Sequence, residues 1–511
     1  MHKKLLLATV VLVLCLGGSE LTARLVESWV EKPTHLAESS KGWQASLFRL
    51  FGGWHESDPE LLWRHRANLP HPFRTNSQHY LGAEVPHAKS ASAYRILVVG
   101  DSTAVGLGLA RRKDAFGEVL ASMLGSDLAS EGRSVELINA AVSGYSSEQV
   151  ARFLGTQGWS LEPDLVVVYC GNNDASISGP VSDAALMGRQ RMTGIRKILR
   201  GLALYRVIGM LRASLGERAV TDDPLVVRVA PERYGENLRR MVDQAQERGV
   251  PIVLVKPPVP LLWPAGLQFK VLQQLRGEKG ELVLPKQMQR ILGRKIKYAL
   301  DYERMNRTYG GTWSPDTRAV YGAAFSDPPS VRNAIAHYAR SRDRNPDDPV
   351  IRNDLGVSLW QDGQLEAADR ELRQAIELFR QFHAVEDDPA KTGAGAAFVF
   401  NLGMNTLSRS EQPNADRRLA DEAWNLLDQA LQDDYFSLRI KRSYLEQFDQ
   451  FDSTRGVIII DGPAIFQEHG REELFVDHCH PTAKGQRLIA SAIHERIREA
   501  LGLKGHGTIA R

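Results

Sequence analysis

Leu165-Val166-Val167-Val168-Tyr169 is an unbroken apolar run with no polar residue at either alternate position. Successive side chains of a strand point to opposite faces, so a strand of this composition must be covered on both. That demands a parallel sheet held between helices, because antiparallel sheets commonly leave one face to water. Four further runs suit the same sheet: Tyr94 to Val99, ending at Gly100, then Val135 to Ile138, Pro251 to Val255 and Val457 to Ile460. Helical patterns follow near 104–128, 147–158, 234–248 and 483–499. Strand alternating with helix predicts an open parallel α/β sheet with right-handed crossovers.

The fourth and fifth strands are far apart in sequence, and part of the gap repeats. Ala334 and Tyr338 recur 34 residues later as Ala368 and Leu372. Leu355-Gly356, Leu359, Ala368, Leu372 and Ala375 follow tetratricopeptide spacing, in which the small residues let two helices approach and the leucines fill the seam. Leu402-Gly403 with Ala423, Leu427 and Ala430 predicts another unit, with a longer inter-helix loop through Ser410 and Pro413. An ordinary helical insertion with accidental spacing is the alternative. The α/β domain is therefore expected in two parts, 93–265 and 437–511. A helical connection at 266–330, rich in Lys and Arg on a solvated face over 266–307, and a tetratricopeptide-like insertion at 331–436 separate them.

At the start, Lys3-Lys4 precede an uncharged apolar run from Leu5 to Gly18, interrupted by Glu20 and Arg24. This run is short against the roughly 20 residues of a membrane-crossing helix and resembles a secretory signal core. With its mildly apolar continuation, segment 1–26 is expected to act as a single membrane anchor, leaving the rest on the periplasmic or extracellular side. Cleavage after Ser19 would instead release a secreted or periplasmic protein. Residues 27–92 lack sustained periodicity and are expected to form an irregular lead-in. There, Arg74-Thr75-Asn76-Ser77 is either an ordered loop or a plain turn, and Trp54 and Trp63 pack on the main domain or stack on a sugar. The net charge of +3, from 64 basic and 61 acidic residues, gives no reason to expect a nucleic-acid partner. Cys15, Cys170 and Cys479 are too few for a disulfide framework.

Chemistry concentrates just beyond the strands. Val99-Gly100-Asp101-Ser102-Thr103 ends the first, Asn139-Ala140-Ala141-Val142-Ser143-Gly144 the second, and Gly171-Asn172-Asn173-Asp174 the third. After the fifth comes Phe475-Val476-Asp477-His478-Cys479-His480-Pro481. Residues at the carboxyl ends of parallel strands share one crevice. Ser102 alone could be a helix cap. Consecutive Asp477, His478, Cys479 and His480 cannot easily wrap one tetrahedral ion, so no metal is expected. A serine hydroxyl needs a base within hydrogen-bond reach, and histidine, titrating near neutrality, can take the proton and return it. Cys170 and Cys479 are expected to be small buried thiols, with a disulfide as the alternative. Lys256-Pro257-Pro258 either borders a pocket or forms a rigid loop.

Together these motifs resemble the SGNH, or GDSL-type, hydrolase family in type and order, over roughly 94–260 and 450–500. The resemblance implies a three-layer, flavodoxin-like parallel sheet. It implies Ser102 as nucleophile, His480 as general base and Asp477 as its orienting carboxylate. The amides of Ser102 and Gly144, with the side chain of Asn173 rather than Asn172, are implied as the oxyanion hole, while Asp101 supports the turn. No cofactor is expected. The implied activity is hydrolysis of carboxylic esters, with O-acetyl groups on an envelope or secreted carbohydrate as the substrate class. Acyl transfer to a sugar hydroxyl and a non-catalytic scaffold built on the helices are the rival readings. A protein partner for the helical insertion and the membrane at the N-terminus complete the expected contacts.

Overall fold

The computed structural model describes residues 17–24, 54–70, 73–86, 88–179, 181–189, 226–263, 331–383, 395–434 and 437–502. Five strands, β1 (Ala93–Gly100), β2 (Ser134–Asn139), β3 (Leu165–Tyr169), β4 (Ile252–Lys256) and β5 (Val457–Asp461), form one parallel sheet. Their order is β2-β1-β3-β4-β5. Every residue of β1 and β3 is buried. Each such Val or Leu contributes about 1.5–3 kcal/mol by leaving water. Helices α1 (Phe116–Ala129), α2 (Ser147–Thr156) and α3 (Pro231–Glu247) belong to this domain, as does the carboxyl-terminal Ala483–Leu501. Gly117 of α1 abuts Val98, whereas Gly158, just past α2, abuts Leu97. Adjacent strand residues point to opposite faces, so α1 and α2 cover opposite sides. α1 packs with the carboxyl-terminal helix and α2 with α3, which gives three layers.

Strands β2 and β3 flank β1 on either side, so the connections leaving β1 and β2 diverge. This opens a crevice at the carboxyl end of β1. The strands of the sheet approach closely there: a Cβ at Gly100 would lie 2.0 Å from the Tyr169 carbonyl oxygen, so only glycine fits.

The continuous helix expected over 104–128 is broken. One helical turn, Ser102–Val105, ends at Gly106 with φ +77, and Gly108 follows with φ +88. Left-handed backbone at two glycines within three residues stops the helix. The chain resumes helical structure only at Arg112–Asp114 and then α1. Helical periodicity in the side chains ran through a segment whose backbone could not follow it. Gln486, fully buried on the carboxyl-terminal helix, ties the pieces together by accepting from Phe116 N (3.0 Å) and donating to Thr103 O (3.1 Å).

The long gap holds α4 (Val331–Arg344), α5 (Pro349–Gln361), α6 (Leu365–His383), α7 (Ala396–Ser410) and α8 (Arg418–Asp433), and the carboxyl-terminal helix is α9. α5 packs on α6 and α7 on α8. A Cβ at Gly356 would come within 2.6 Å of Leu372, and one at Gly403 within 3.0 Å of Leu427. These are the small-against-leucine seams the sequence predicted. Their core, with Leu355, Leu372, Phe400 and Leu427, also takes in Leu261 and Leu262 from the loop after β4.

The lead-in contains a short antiparallel pair, His55–Asp58 with Leu62–His65, too brief to leave a periodic signal. Residues 74–77 belong to an ordered loop: Asn76 Oδ1 accepts from Gln78 N and Tyr80 N, and its Nδ2 donates to Ala83 O. Trp54 packs its ring on Phe73. A second unforeseen antiparallel pair joins Ile177–Gly179 to Val226–Val227. The connection at 266–330 and the basic and apolar start at 1–16 lie outside the described residues. Among the described residues no helix is long and apolar enough to cross a membrane.

Candidate active site

Ser102 is the first residue of the turn after β1, and Asp101 caps it. Asp101 Oδ1 accepts from Thr103 N (2.8 Å) and Thr103 Oγ1 (2.6 Å). Burial pushes the Asp101 carboxyl up, against the pull of those two bonds. Its work is to hold the turn, as expected.

His480 comes from a loop that builds itself. Val476 N donates to His480 O, and Thr482 N donates to Leu474 O, both at 2.8 Å. Inside the loop, Asp477 Oδ1 accepts the backbone amides of Cys479 (3.0 Å) and His480 (2.9 Å). The same carboxylate receives His480 Nδ1, 2.7 Å from Oδ2. A residue three positions earlier thus folds the turn and orients the ring. With Nδ1 donating to the carboxylate, Nε2 is the accepting nitrogen, and the Ser102 hydroxyl lies 2.7 Å from it. Ser102 and Asp477 are joined in space across 375 residues of sequence by the order of the strands.

The electrostatics follow from burial and these contacts. Burial would raise the Asp477 carboxyl, but the positive ends of His480 and His478 hold it well below the usual carboxylate range. Burial would lower His480, but Asp477 and then Cys479 lift it well above an ordinary histidine. Cys479 Sγ lies 3.8 Å from Nδ1 and 3.9 Å from Nε2. Asp477, Cys479 and His480 bring ligand atoms within 4.8 Å of one another. Both ring nitrogens are nevertheless already engaged, by Asp477 and Ser102. Cys170 and Cys479 are free, buried thiols.

Beyond β2, Val142–Tyr145 forms a turn that starts on β1, Val142 N donating to Gly100 O at 3.1 Å, and is closed by Tyr145 N to Val142 O at 3.1 Å, with Gly144 at φ +84. Only glycine takes that conformation without strain. The Asn173 side-chain amide donates to Tyr145 O (3.1 Å), which brings it beside the same turn. Asn172 points elsewhere: it is buried, and its Oδ1 accepts from Ile440 N at 3.0 Å. Asp174 accepts from Ser147 N (3.0 Å) and from the Ser147 hydroxyl. Burial pushes its carboxyl up to about 7 in spite of them.

Sequence reasoning missed Arg228. Its guanidinium donates to Gly144 O (2.8 Å) and Gln149 Oε1 (3.2 Å) and pairs with buried Asp183, Nη2 to Oδ2 at 2.7 Å. Ser146 Oγ donates to Asp183 Oδ2 (2.7 Å), and Ser146 N to Gln149 Oε1 (3.0 Å). Val226-Val227-Arg228-Val229 carries no motif, and no signal in that stretch marks the arginine. Lys256 pairs with Asp449 at 3.2 Å, and Pro258 packs where Gly462 lacks a side chain. Trp263, from the loop after β4, lies 5.6 Å from the His478 ring, beside the histidine turn.

Residues 98–282 match the GDSL-like Lipase/Acylhydrolase family. No curated protein matches the chain. Among solved structures, TesA is 23% identical over 32% of this chain and 62% of its own, with a TM-score of 0.20. An SGNH-hydrolase family esterase, AlinE4, is 22% identical over 34% and 63%, with a TM-score of 0.19. The psychrotrophic esterase EstA from Pseudoalteromonas sp., inhibited by monoethylphosphonate, is 19% identical over 33% and 61%, also at 0.19. The chain spans about three fifths of the length of these structures. The family match stops before the helical insertion and so covers Ser102, Gly144 and Asn173 but not Asp477 or His480. Folding brings Asp477 and His480, which lie outside the matched residues, onto Ser102, so the segment similar to the GDSL-like Lipase/Acylhydrolase family and the later pair share one site.

Proposed function

We propose that this protein is a serine esterase that cleaves carboxylic esters through an acyl-serine intermediate. The observation that carries the reading is the 2.7 Å contact between Ser102 Oγ and His480 Nε2, with Asp477 on the far nitrogen. In the proposed reaction Ser102 Oγ attacks the ester carbonyl carbon as its proton passes to Nε2. The negative oxygen of the tetrahedral intermediate receives the amides of Ser102 and Gly144 and the side-chain amide of Asn173. Collapse expels the alcohol, which takes the proton from His480. Water then attacks the acyl-serine with His480 again as base, releasing the acid and restoring Ser102.

O-acetyl groups on an envelope or secreted carbohydrate are the proposed substrate class. This rests on the apolar start of the chain as an anchor or export signal. The seams at Gly356–Leu372 and Gly403–Leu427 support reading 331–436 as a tetratricopeptide-like insertion between the two parts of the hydrolase domain. The test is hydrolysis of p-nitrophenyl acetate by the protein and by Ser102→Ala, with oligosaccharide acceptors added in parallel. Turnover lost in the variant is the expected result, and equal turnover in both proteins would reject the reading. Acetylated oligosaccharide formed faster than free acetate would redirect it to acyl transfer.

A further inference from the structure

The turn that carries the Gly144 amide is fixed by a group remote from the reacting atoms. Several hydrogen bonds hold its backbone. Tyr145 N closes the turn on Val142 O, Asn173 Nδ2 reaches Tyr145 O, and Arg228 Nη1 reaches Gly144 O. The first is internal to the turn, and the second comes from the other proposed oxyanion donor. While Val142 N anchors the start of the turn on Gly100 O of β1 (3.1 Å), the arginine holds the carbonyl of Gly144 itself from a separate segment. It is itself held on three sides, by both oxygens of Asp183 (3.0 and 3.2 Å from Nε) and by Gln149. Asp183 and Gln149 in turn hold Ser146, the next residue but one, through its hydroxyl and its amide. Arg228 and Asp183 are both buried, and such a pair contributes geometry more dependably than net stability.

We propose that Arg228 is a positioning residue for the oxyanion hole, setting the direction of the Gly144 amide and, through Tyr145 O, the place of the Asn173 amide. The inference rests on the hydrolase reading. Its physical basis is that oxyanion donors stabilise the transition state only if already aimed at the developing charge. Glycine at φ +84 supplies the conformation but not its rigidity, because glycine is the residue with the widest choice of backbone angles. A fork of planar N–H groups, able to serve Gly144 O, Gln149 and Asp183 together, supplies the rigidity, and a lysine cannot reproduce it.

The test compares Arg228→Met and Arg228→Lys with the unaltered protein on p-nitrophenyl acetate, with thermal unfolding followed by circular dichroism. The expected result for R228M is a kcat lower by about 10- to 100-fold with KM changed by less than about two-fold, since the loss falls on the transition state. R228K recovers part of the kcat, and the acid limb of the pH profile stays in place, because His480 is untouched. A kcat within about two-fold of the unaltered protein in both folded variants overturns the inference, as does a loss confined to KM. A kcat that falls only in proportion to the folded fraction also overturns it. Should R228M not fold, R228K decides by the same criteria, its loss of the fork predicting an intermediate kcat. If the unaltered protein has no Ser102-dependent turnover, the hydrolase reading itself fails and this inference goes with it. An active protein indifferent to Arg228 sinks the inference alone.

Discussion

The two turns assigned to the proposed site around Ser102 are built in opposite ways. On the histidine side, one carboxylate does both jobs within four residues: Asp477 accepts two amides of its own turn and the ring nitrogen of His480. On the other side, the turn at Gly144 depends on Arg228, Asp183, Gln149 and Asn173, drawn from separate segments. In the proposed site a local device and a distributed one serve the same hydroxyl. The histidine turn should therefore tolerate changes elsewhere and fail sharply at one residue. The Gly144 turn should instead weaken by degrees at several.

Asp477→Asn is the sharpest way to break that contrast. The amide oxygen of asparagine can still accept from Cys479 N and His480 N, so the turn survives. Its NH2 group, however, favours the wrong tautomer of His480. With neutral carboxamide chemistry, kcat should fall on the order of 10⁴-fold, the size of loss associated with neutralising the carboxylate of a Ser-His-Asp triad. Near-unchanged circular dichroism should accompany it. A fall below about tenfold would mean that Asp477 serves the turn alone.

Asn173→Ala is the next test, on the distributed side. Losing one oxyanion donor costs about 3 kcal/mol, or roughly 10²–10³ in kcat. Here the variant also releases Tyr145 O, so the loss should combine with that of R228M by less than simple multiplication of the two effects. Strict multiplication in the double variant would mean that the two residues do not share the turn.

The same contrast explains what could be read from the sequence. The five strands were legible because β1 and β3 are apolar on both faces, a pattern few other structures tolerate. Ser102 was legible from its place at the end of β1, whereas Asp477 and His480 were legible from their three-residue spacing and the resemblance of their motif, since the helix Gly462–Glu468 stands between them and β5. Arg228 was not, since its partners are reached through the fold and its own neighbours are valines. The broken helix after Ser102 was missed for a different reason. Its apolar side chains kept helical spacing while Gly106 and Gly108 took left-handed backbone angles, so side-chain periodicity concealed a backbone break. Asn172 and Asn173 stand side by side in the same motif, and only their opposite partners, Ile440 N and Tyr145 O, separate a structural amide from a donor candidate.

The smallest effect sharpens the local side further. His480 must be neutral at Nε2 to take the Ser102 proton, so the rate rises with pH through the pKa of this ring. The groups facing it are Asp477 at Nδ1, the Cys479 sulfur 3.8 Å from Nδ1, His478 edge-on at 5.7 Å, and buried Asp101 at the serine turn. Burial lowers the ring's affinity for a proton, but Asp477 and Cys479 together raise it by more, so the folded value lies above the ordinary value of about 6.5. The sign is then fixed: below that raised pKa the base is protonated, and the acid limb of kcat/KM should lie on the alkaline side of about 6.5. Cys479→Ala removes the second of the two raising groups and leaves Asp477 in place, so the limb should move to lower pH by a modest amount while the plateau changes little. A pH profile of p-nitrophenyl acetate hydrolysis reads both. A limb at or below about 6.5 in the unaltered protein would mean that burial outweighs the carboxylate, and a limb unmoved in C479A would remove the sulfur from the electrostatics of the base.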